Sequence, residues 1–431
     1  MEEMKIAFLT LGCKLNYAET STYERAFIKS GFTVTQWNES PADVYLINTC
    51  SVTETSDKKA RNAIRKMHRI NPAATIVVTG CYAELKRAEI ESIEGVTLVF
   101  GAKEKNRVVP CTLDYLNGRT LTREDYERKG LAEEYREISK ETMPAYSTGE
   151  RTRSFLKVQD GCNNFCAYCT VPYARGESRN IPICELVKQA ELIAAEGVKE
   201  IVLTGVNTGD FGRSSGESFL DLIKALNDVE GIERYRISSI EPNLITEEIV
   251  DWIASGTKFL PHFHIPLQTG SDIQLKRMGR KYDTAFFADR IAYIRSKMEG
   301  PGKPKVFFGI DTMVGLPGET EELFRETYDF IKSIAPAFIH VFPYSRRPGT
   351  RADKMPDQVD ERTKKERVAR LEELCEELHR AFVEQNRGIK EKVLFESSEK
   401  NGMMAGYTGN YIRIERTYDE SLSGKIVELT I

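Results

Sequence analysis

No stretch of the 431-residue chain approaches the ~20 apolar residues of a membrane span, so no membrane partner is expected. A secretory leader is not expected either. The start, Met-Glu-Glu-Met-Lys, is acidic and enters only a short apolar run, Ile6–Leu11. Charge of one sign is also scarce. A net charge of −4 supplies no global pull toward nucleic acid and confines any such contact to a local patch. Nine cysteines spread over a long chain with no leader are expected to be reduced thiols in a cytoplasmic protein, and disulfides are not expected. What is present is ordinary: 41% hydrophobic and 29% charged residues, enough for the cores of two or three domains.

The cysteines are not scattered evenly. Gly161-Cys162-Asn163-Asn164-Phe165-Cys166-Ala167-Tyr168-Cys169 places three of them at C-x3-C-x2-C, on one loop after a strand expected over Ser154–Gln159. Thiolates are the usual ligands of a 4Fe–4S cube, and three of them leave one iron open to bind a small molecule. No second C-x2-C pair follows, which sets this run apart from paired zinc sites. Three buried thiols, or a zinc knuckle completed by a distant residue, remain the alternative readings.

Before that loop, Lys5–Thr10, Val44–Asn48, Thr75–Thr79 and Thr97–Phe100 read as short strands. Ala18–Ser30, Ser56–Ile70 and Glu84–Ile93 read as helices between them, which predicts a parallel sheet covered on both faces. Cys13, Cys50 and Cys81 fall at the C-terminal ends of three of these strands, the edge where ligands gather in open α/β sheets. Three thiols arriving from three loops would make a second three-cysteine cluster site, although a single strand-end cysteine packs equally well as a small hydrophobe. Cys111, Cys184 and Cys375 share no such placement and read as ordinary thiols. Ser56–Arg69 carries Lys58, Lys59, Arg61, Arg65, Lys66 and Arg69 with only Asp57 opposing them, a phosphate-contacting patch or a solvated face.

Residues 118–150 are charge-dense and poor in apolar residues, and read as a linker. From Ser154 six βα units follow, with strands expected at Ser154–Gln159, Glu200–Val206, Tyr235–Ile240, His262–Leu267, Val306–Val314 and Phe338–Tyr344. Six such units suggest a partial barrel, short of the eight-fold one, with its active site at the C-terminal strand ends. Asn207, Glu241 and Gln268 fall at those ends, where a carboxylate accepts hydroxyl or amine protons and amides offer donor and acceptor together. After a long helix over Glu361–Arg387, four short strands between residues 392 and 431 suggest a small β-barrel of a kind that often binds nucleic acid. Tyr407, Tyr411 and Arg413 are its candidates for stacking or phosphate contact, and a purely packing barrel is the alternative.

The C-x3-C-x-aromatic-C loop resembles the signature of the radical S-adenosylmethionine (SAM) enzymes. The whole chain resembles their methylthiotransferase subfamily. The resemblance rests on Leu11-Gly12-Cys13-Lys14-Leu15-Asn16, Asn48-Thr49-Cys50, Gly80-Cys81, Arg175-Gly176-Glu177-Ser178-Arg179, His264-Ile265-Pro266-Leu267-Gln268-Thr269-Gly270-Ser271 and Arg347-Pro348-Gly349-Thr350. It implies an N-terminal domain over 1–117, a linker over 118–150, a partial (β/α)6 radical SAM barrel over 151–386 and a TRAM-like β-barrel over 387–431. It also implies two 4Fe–4S clusters, one on Cys162, Cys166 and Cys169, and an auxiliary one on Cys13, Cys50 and Cys81 that carries or donates sulfur. Tyr168 would lie against the adenine of SAM, with Asn207, Glu241, Gln268 and Arg179 also near it. One SAM would methylate sulfur and a second would supply the radical that activates a carbon–hydrogen bond. An electron donor such as flavodoxin or ferredoxin and a sulfur source would be partners.

Three branches of the subfamily differ in substrate: isopentenyladenosine in tRNA, threonylcarbamoyladenosine in tRNA, and an aspartate of a ribosomal protein. Gly12-Cys13-Lys14-Leu15-Asn16, with Glu19-Thr20 after it, looks most like the threonylcarbamoyladenosine branch. The anticodon stem-loop would then be the partner, met by Lys58, Lys59, Arg61, Arg65, Tyr411 and Arg413. A non-catalytic RNA-binding protein with structural or redox-sensing clusters is the reading from another class.

Overall fold

The computed structural model describes residues 4–118, 142–148 and 152–431, so most of the expected linker lies outside the described residues. The chain forms two compact units. One runs to residue 147 and adds 160–165 and 169–181; the other holds 148–159, 166–168 and 182–431.

Five parallel strands make the frame of the first unit: β1 (Lys5–Thr10), β2 (Thr33–Thr35), β3 (Val44–Thr49), β4 (Thr75–Gly80) and β5 (Val96–Gly101), in the order β2-β1-β3-β4-β5. All six residues of the central β3 are buried, as a strand covered on both faces requires. Helices α1 (Lys14–Lys29), α2 (Glu54–Ile70), α3 (Cys81–Leu85), α4 (Arg87–Glu91) and α5 (Val108–Leu116) follow the strands, with α6 (Val171–Arg175) added from the later segment. On α2 the i, i+3, i+4, i+7 set Ala60, Ala63, Ile64 and Met67 packs on Tyr45, Ile47, Ile76 and Val78 of the sheet. Thr53 caps that helix, its hydroxyl accepting from the Ser56 amide at 3.2 Å.

Two local expectations change, and one element was not expected. The helix expected over Glu84–Ile93 is two five-residue helices broken at Lys86 (φ −138°, ψ 46°), where the ammonium reaches buried Asp57 at 3.4 Å and Glu89 at 3.5 Å. Helix α1 begins at Lys14 instead of Ala18, because Asn16 is held by the Leu11 and Thr49 carbonyls at 2.7 and 3.1 Å. The three-residue β2 is too short to give a periodic signal.

In the second unit six parallel strands follow one another: β6 (Arg153–Lys157), β7 (Glu200–Thr204), β8 (Arg234–Ile237), β9 (His262–Gln268), β10 (Phe307–Val314) and β11 (Phe338–Pro343). They pair as two three-stranded sheets, β6-β7-β8 and β9-β10-β11. Across the seam the Ile240 amide donates to the His264 carbonyl at 3.0 Å. Helices α7 (Ile183–Ala195), α8 (Phe219–Asn227), α9 (Glu247–Ala254), α10 (Asp272–Met278), α11 (Thr284–Met298), α12 (Glu321–Ile334) and α13 (Glu361–Gln385) cover the outside. The last segment is an antiparallel sheet of β12 (Lys390–Lys400), β13 (Met403–Tyr407), β14 (Arg413–Thr417) and β15 (Ile426–Thr430), ordered β14-β13-β12-β15, which is half of a barrel.

The β6-β7-β8 sheet and the antiparallel C-terminal sheet meet over a buried charge cluster. Glu200 accepts from Arg236 at 2.8 Å and pairs with Arg234 at 2.5 Å, with Arg153 at 3.9 Å. The guanidinium of Arg236 also donates to the carbonyls of Thr408 and Gly409 at 2.7 and 2.8 Å, and Arg234 to those of Lys392 and Tyr407 at 3.2 and 3.0 Å. Burial works against the Glu200 carboxylate, but the three arginines outweigh it and hold its pKa below the usual range.

Candidate active site

In the first unit the thiols of Cys13, Cys50 and Cys81 reach the sheet edge from the ends of β1, β3 and β4. Cys13 is the residue before α1 and is exposed, Cys50 follows β3 and is buried, and Cys81 opens α3. Glycine is required beside two of them. Gly12 has φ +108°, and a Cβ there would stand 2.6 Å from the Cys50 Cβ; Gly80 has φ +105°, and a Cβ would stand 2.3 Å from the Thr49 carbonyl. Burial first, and then the neighbouring Cys81 and Cys13, push the Cys50 thiol up to about 12, which places the three sulfurs in one electrostatic neighbourhood.

A cation lies in the same neighbourhood. Arg175 on α6 is 2% exposed and donates to Asn16 Oδ1 at 2.7 Å, Asp160 at 2.8 Å and Glu19 at 3.4 Å. Burial opposes its charge, but Asp160, Cys81, Glu19 and Cys13 together hold it well above an ordinary arginine. Buried Lys105 pairs with Glu19 on the same cluster. Three soft donors with a fixed positive charge beside them suit an anionic iron–sulfur cluster bound by three thiolates.

The loop 161–169 contributes residues to both units. In the first, the Cys162 amide donates to the Gly176 carbonyl at 3.0 Å, and Gly161 (φ +74°) passes so close that a Cβ would meet the Glu177 carbonyl at 2.0 Å. Amides of Asn164 and Val171 donate to the sulfurs of Cys162 and Cys169, each at 3.4 Å, the kind of contact that tunes a cluster. Arg179 closes the 175–179 turn, donating to the carbonyls of Arg175 and Glu177 at 2.7 and 3.1 Å and facing Asp160 at 3.5 Å.

In the second unit two of the expected strand-end residues, Asn207 and Glu241, are joined to Cys166 and Tyr168 through a residue that no motif pointed to. Arg280 donates to Cys166 Sγ at 3.2 Å and to the Tyr168 hydroxyl at 3.5 Å, and pairs with Glu241 at 2.8 Å. Burial opposes its charge, yet Tyr168, Tyr282, Glu241 and Cys166 keep it well above an ordinary arginine. Asn207 Oδ1 accepts from the Glu241 amide at 3.2 Å. Gln159 was legible only as a strand end; its Oε1 accepts from the Val206 and Asn207 amides at 2.9 and 3.0 Å. Gln268 closes β9 with φ +72° beside a register shift, and the Tyr282 hydroxyl donates to the Pro266 and Leu267 carbonyls just before it. Tyr168 packs with Met278, Leu316 and Tyr344.

The basic stretch on α2 keeps Lys58, Lys59 and Arg65 exposed. Arg61 is held by the Tyr82 hydroxyl at 2.9 Å and Glu89 at 2.8 Å. On the C-terminal sheet Arg413 is exposed and pairs with Glu415. Tyr411 is engaged in packing, stacked on Tyr407 at 4.9 Å under Arg236 at 4.7 Å, with its hydroxyl on Arg153 at 3.2 Å. Cys375 is buried against the Ile339 backbone, as an ordinary thiol would be.

Residues 156–331 match the radical SAM superfamily, and residues 5–101 match an uncharacterised protein family, UPF0004. The fold is shared with the radical SAM methyltransferase TsrM of Kitasatospora setae, solved with cobalamin and a 4Fe–4S cluster bound, at a TM-score of 0.57 and 15% identity over 81% of this chain and 77% of that one. Fold and superfamily match together define a radical SAM enzyme.

Among curated relatives, the threonylcarbamoyladenosine tRNA methylthiotransferase MtaB of Bacillus subtilis is 41% identical over 99% of this chain and 93% of its own length. The enzyme of that name from Aquifex aeolicus is 38% identical over 99% and 100%. The tRNA-2-methylthio-N(6)-dimethylallyladenosine synthase of Finegoldia magna is 31% identical over 99% and 91%. The chain belongs to the radical SAM methylthiotransferase family, whose members use a 4Fe–4S cluster and SAM. Among the described residues no helix is long and apolar enough to cross a membrane.

Proposed function

We propose that this chain adds a methylthio group at C2 of N6-threonylcarbamoyladenosine, at adenosine 37 of the tRNA anticodon stem-loop, in the cytoplasm, with two clusters and two SAM per turnover. The observation that carries the reading is the second thiol site. Cys13, Cys50 and Cys81 share one electrostatic neighbourhood with buried Arg175, apart in sequence from the C-x3-C-x2-C loop. Sulfur transfer needs a sulfur-carrying site in addition to one for SAM cleavage. Lys14-Leu15-Asn16 and the higher identity to enzymes named for threonylcarbamoyladenosine favour that nucleoside over dimethylallyladenosine.

In this reading Cys162, Cys166 and Cys169 hold the cluster that meets SAM, and Cys13, Cys50 and Cys81 hold the auxiliary one. A reduced 4Fe–4S cluster with an open iron supplies the electron that cleaves SAM. Arg280 donates a hydrogen bond to the Cys166 sulfur and keeps Tyr168 and Glu241 oriented, so adenine and the SAM amine meet fixed partners. Asn207 and Gln268 complete that rim, and Arg179 stiffens the turn that holds Cys162. Lys58, Lys59 and Arg65 supply phosphate contacts for the RNA, with Arg413 a second point of attachment. The electron donor is of the flavodoxin or ferredoxin class, and a separate sulfur source replenishes the auxiliary site.

The test is nucleoside mass spectrometry of tRNA from a host lacking methylthioadenosines, with and without this chain. A methylthio gain on threonylcarbamoyladenosine is expected. Cys162→Ala should abolish both the gain and 5′-deoxyadenosine formation, whereas Cys13→Ala should abolish the gain and leave SAM cleavage. A gain on dimethylallyladenosine instead would overturn the substrate, and retained methylthiolation in the Cys13 variant would overturn the auxiliary site.

A further inference from the structure

Three side chains outside the two thiol sites converge on adjacent strands. Asp311 of β10 lies opposite Pro266 of β9 and His340 of β11, and His264 stands two residues before Pro266, on the same face. His264 Nε2 is 2.9 Å from Asp311 Oδ1, and the rings of His264 and His340 stack with centroids 5.1 Å apart. One donor atom from each of the three lies within 4.8 Å of the other two. The alternate residues Phe263, Ile265, Phe308, Ile310 and Ile339 are buried on the opposite face. The triad therefore sits on the side of the sheet away from its apolar packing. The side chains of His264 and Asp311 are only 20% and 21% exposed. Phe338 meets the exposed His340 ring edge-on at 4.8 Å.

We propose that His264, Asp311 and His340 bind one divalent first-row transition ion, separate from the iron–sulfur clusters. Imidazole and carboxylate donors bind such ions at about 2.0–2.2 Å, so two neighbouring donors of one ion stand roughly 3 Å apart. The His264–Asp311 separation of 2.9 Å already meets that spacing. A small side-chain movement of His340 completes the set. Two imidazoles select against magnesium and calcium, which prefer oxygen shells, and favour zinc, iron, cobalt or nickel. Two histidines and one carboxylate on one face leave the remaining coordination positions open to an exogenous oxygen or nitrogen ligand. The inference is independent of which nucleoside is modified, because none of the three residues is used in that assignment.

The test uses reconstituted holoenzyme loaded anaerobically with zinc, desalted, and assayed for zinc, iron and sulfide. About one zinc per chain is expected beyond the clusters. His264→Ala, His340→Ala and Asp311→Asn should each weaken zinc binding by at least about tenfold, with iron, sulfide and the thermal transition unchanged. Zinc absorption spectroscopy guards against variants that fail to fold: the wild-type ion should show only nitrogen and oxygen neighbours at about 2.0–2.2 Å. Substoichiometric zinc in the wild type, equal zinc in the variants, or a sulfur shell at about 2.3 Å would overturn the site.

Discussion

Arg280 has no partner to spare at the site: its guanidinium meets a cluster-loop sulfur, a tyrosine hydroxyl and a buried carboxylate. Removing it takes away the guanidinium that pairs with buried Glu241, and losing one member of a buried pair costs about 3–5 kcal/mol. Arg280→Met should therefore lower the unfolding free energy by roughly that amount, and Glu241→Gln in the same chain should restore part of it, as a double-mutant cycle in urea would read. SAM cleavage should stay impaired in the double variant even where stability returns, which separates positioning from folding. A cycle with no coupling would contradict the pairing. Nothing in the sequence around 280 announces this role. The residue follows α10 in a loop without a motif, and only the fold brings it to Cys166 and Glu241, whose own positions were legible from strand ends and cysteine spacing.

Among the elements, the strand-end turns of the first unit carry the tightest constraint. Gly12 combines φ +108° with a 2.6 Å approach to Cys50, so Gly12→Ala meets both backbone strain and a clash. Strain of this kind costs on the order of 1–3 kcal/mol. The expected outcome is loss of about half the iron and sulfide, the share of the proposed auxiliary cluster, with SAM cleavage retained. Iron content equal to wild type would show that the turn tolerates the side chain. The strands before these turns were readable because β3 and β4 carry short apolar runs rich in β-branched residues that end in asparagine, threonine and glycine. The break at Lys86 was not, because it depends on an ammonium reaching Asp57 on another helix. The convergence of Arg175 on Asn16 and Glu19 was equally hidden, since it depends on a segment far away in sequence. Tyr411, read as a candidate RNA contact, is engaged by barrel arginines that periodicity could not place beside it.

At the scale of the whole molecule, Glu200 and its arginines govern how the second unit responds to acid. Its folded pKa is depressed, so its contribution is complete above the unfolded carboxylate value of about 4.3 and is lost as pH falls through the lower folded value. Glu200→Gln should flatten the acid limb of stability against pH and lower stability at neutral pH by about 3–5 kcal/mol, because three arginines lose their buried counter-charge. Chemical denaturation from pH 3 upward reads both effects, and an unchanged acid limb would assign acid sensitivity elsewhere. The same arginines hold the last sheet by its main chain: Arg234 and Arg236 grasp the carbonyls of Lys392, Tyr407, Thr408 and Gly409. Every amino acid carries a carbonyl, so this grip places no demand on which side chains the sheet displays. The outward face is free to diverge in sequence while its mooring stays the same, like an exchangeable tool head on a fixed chuck.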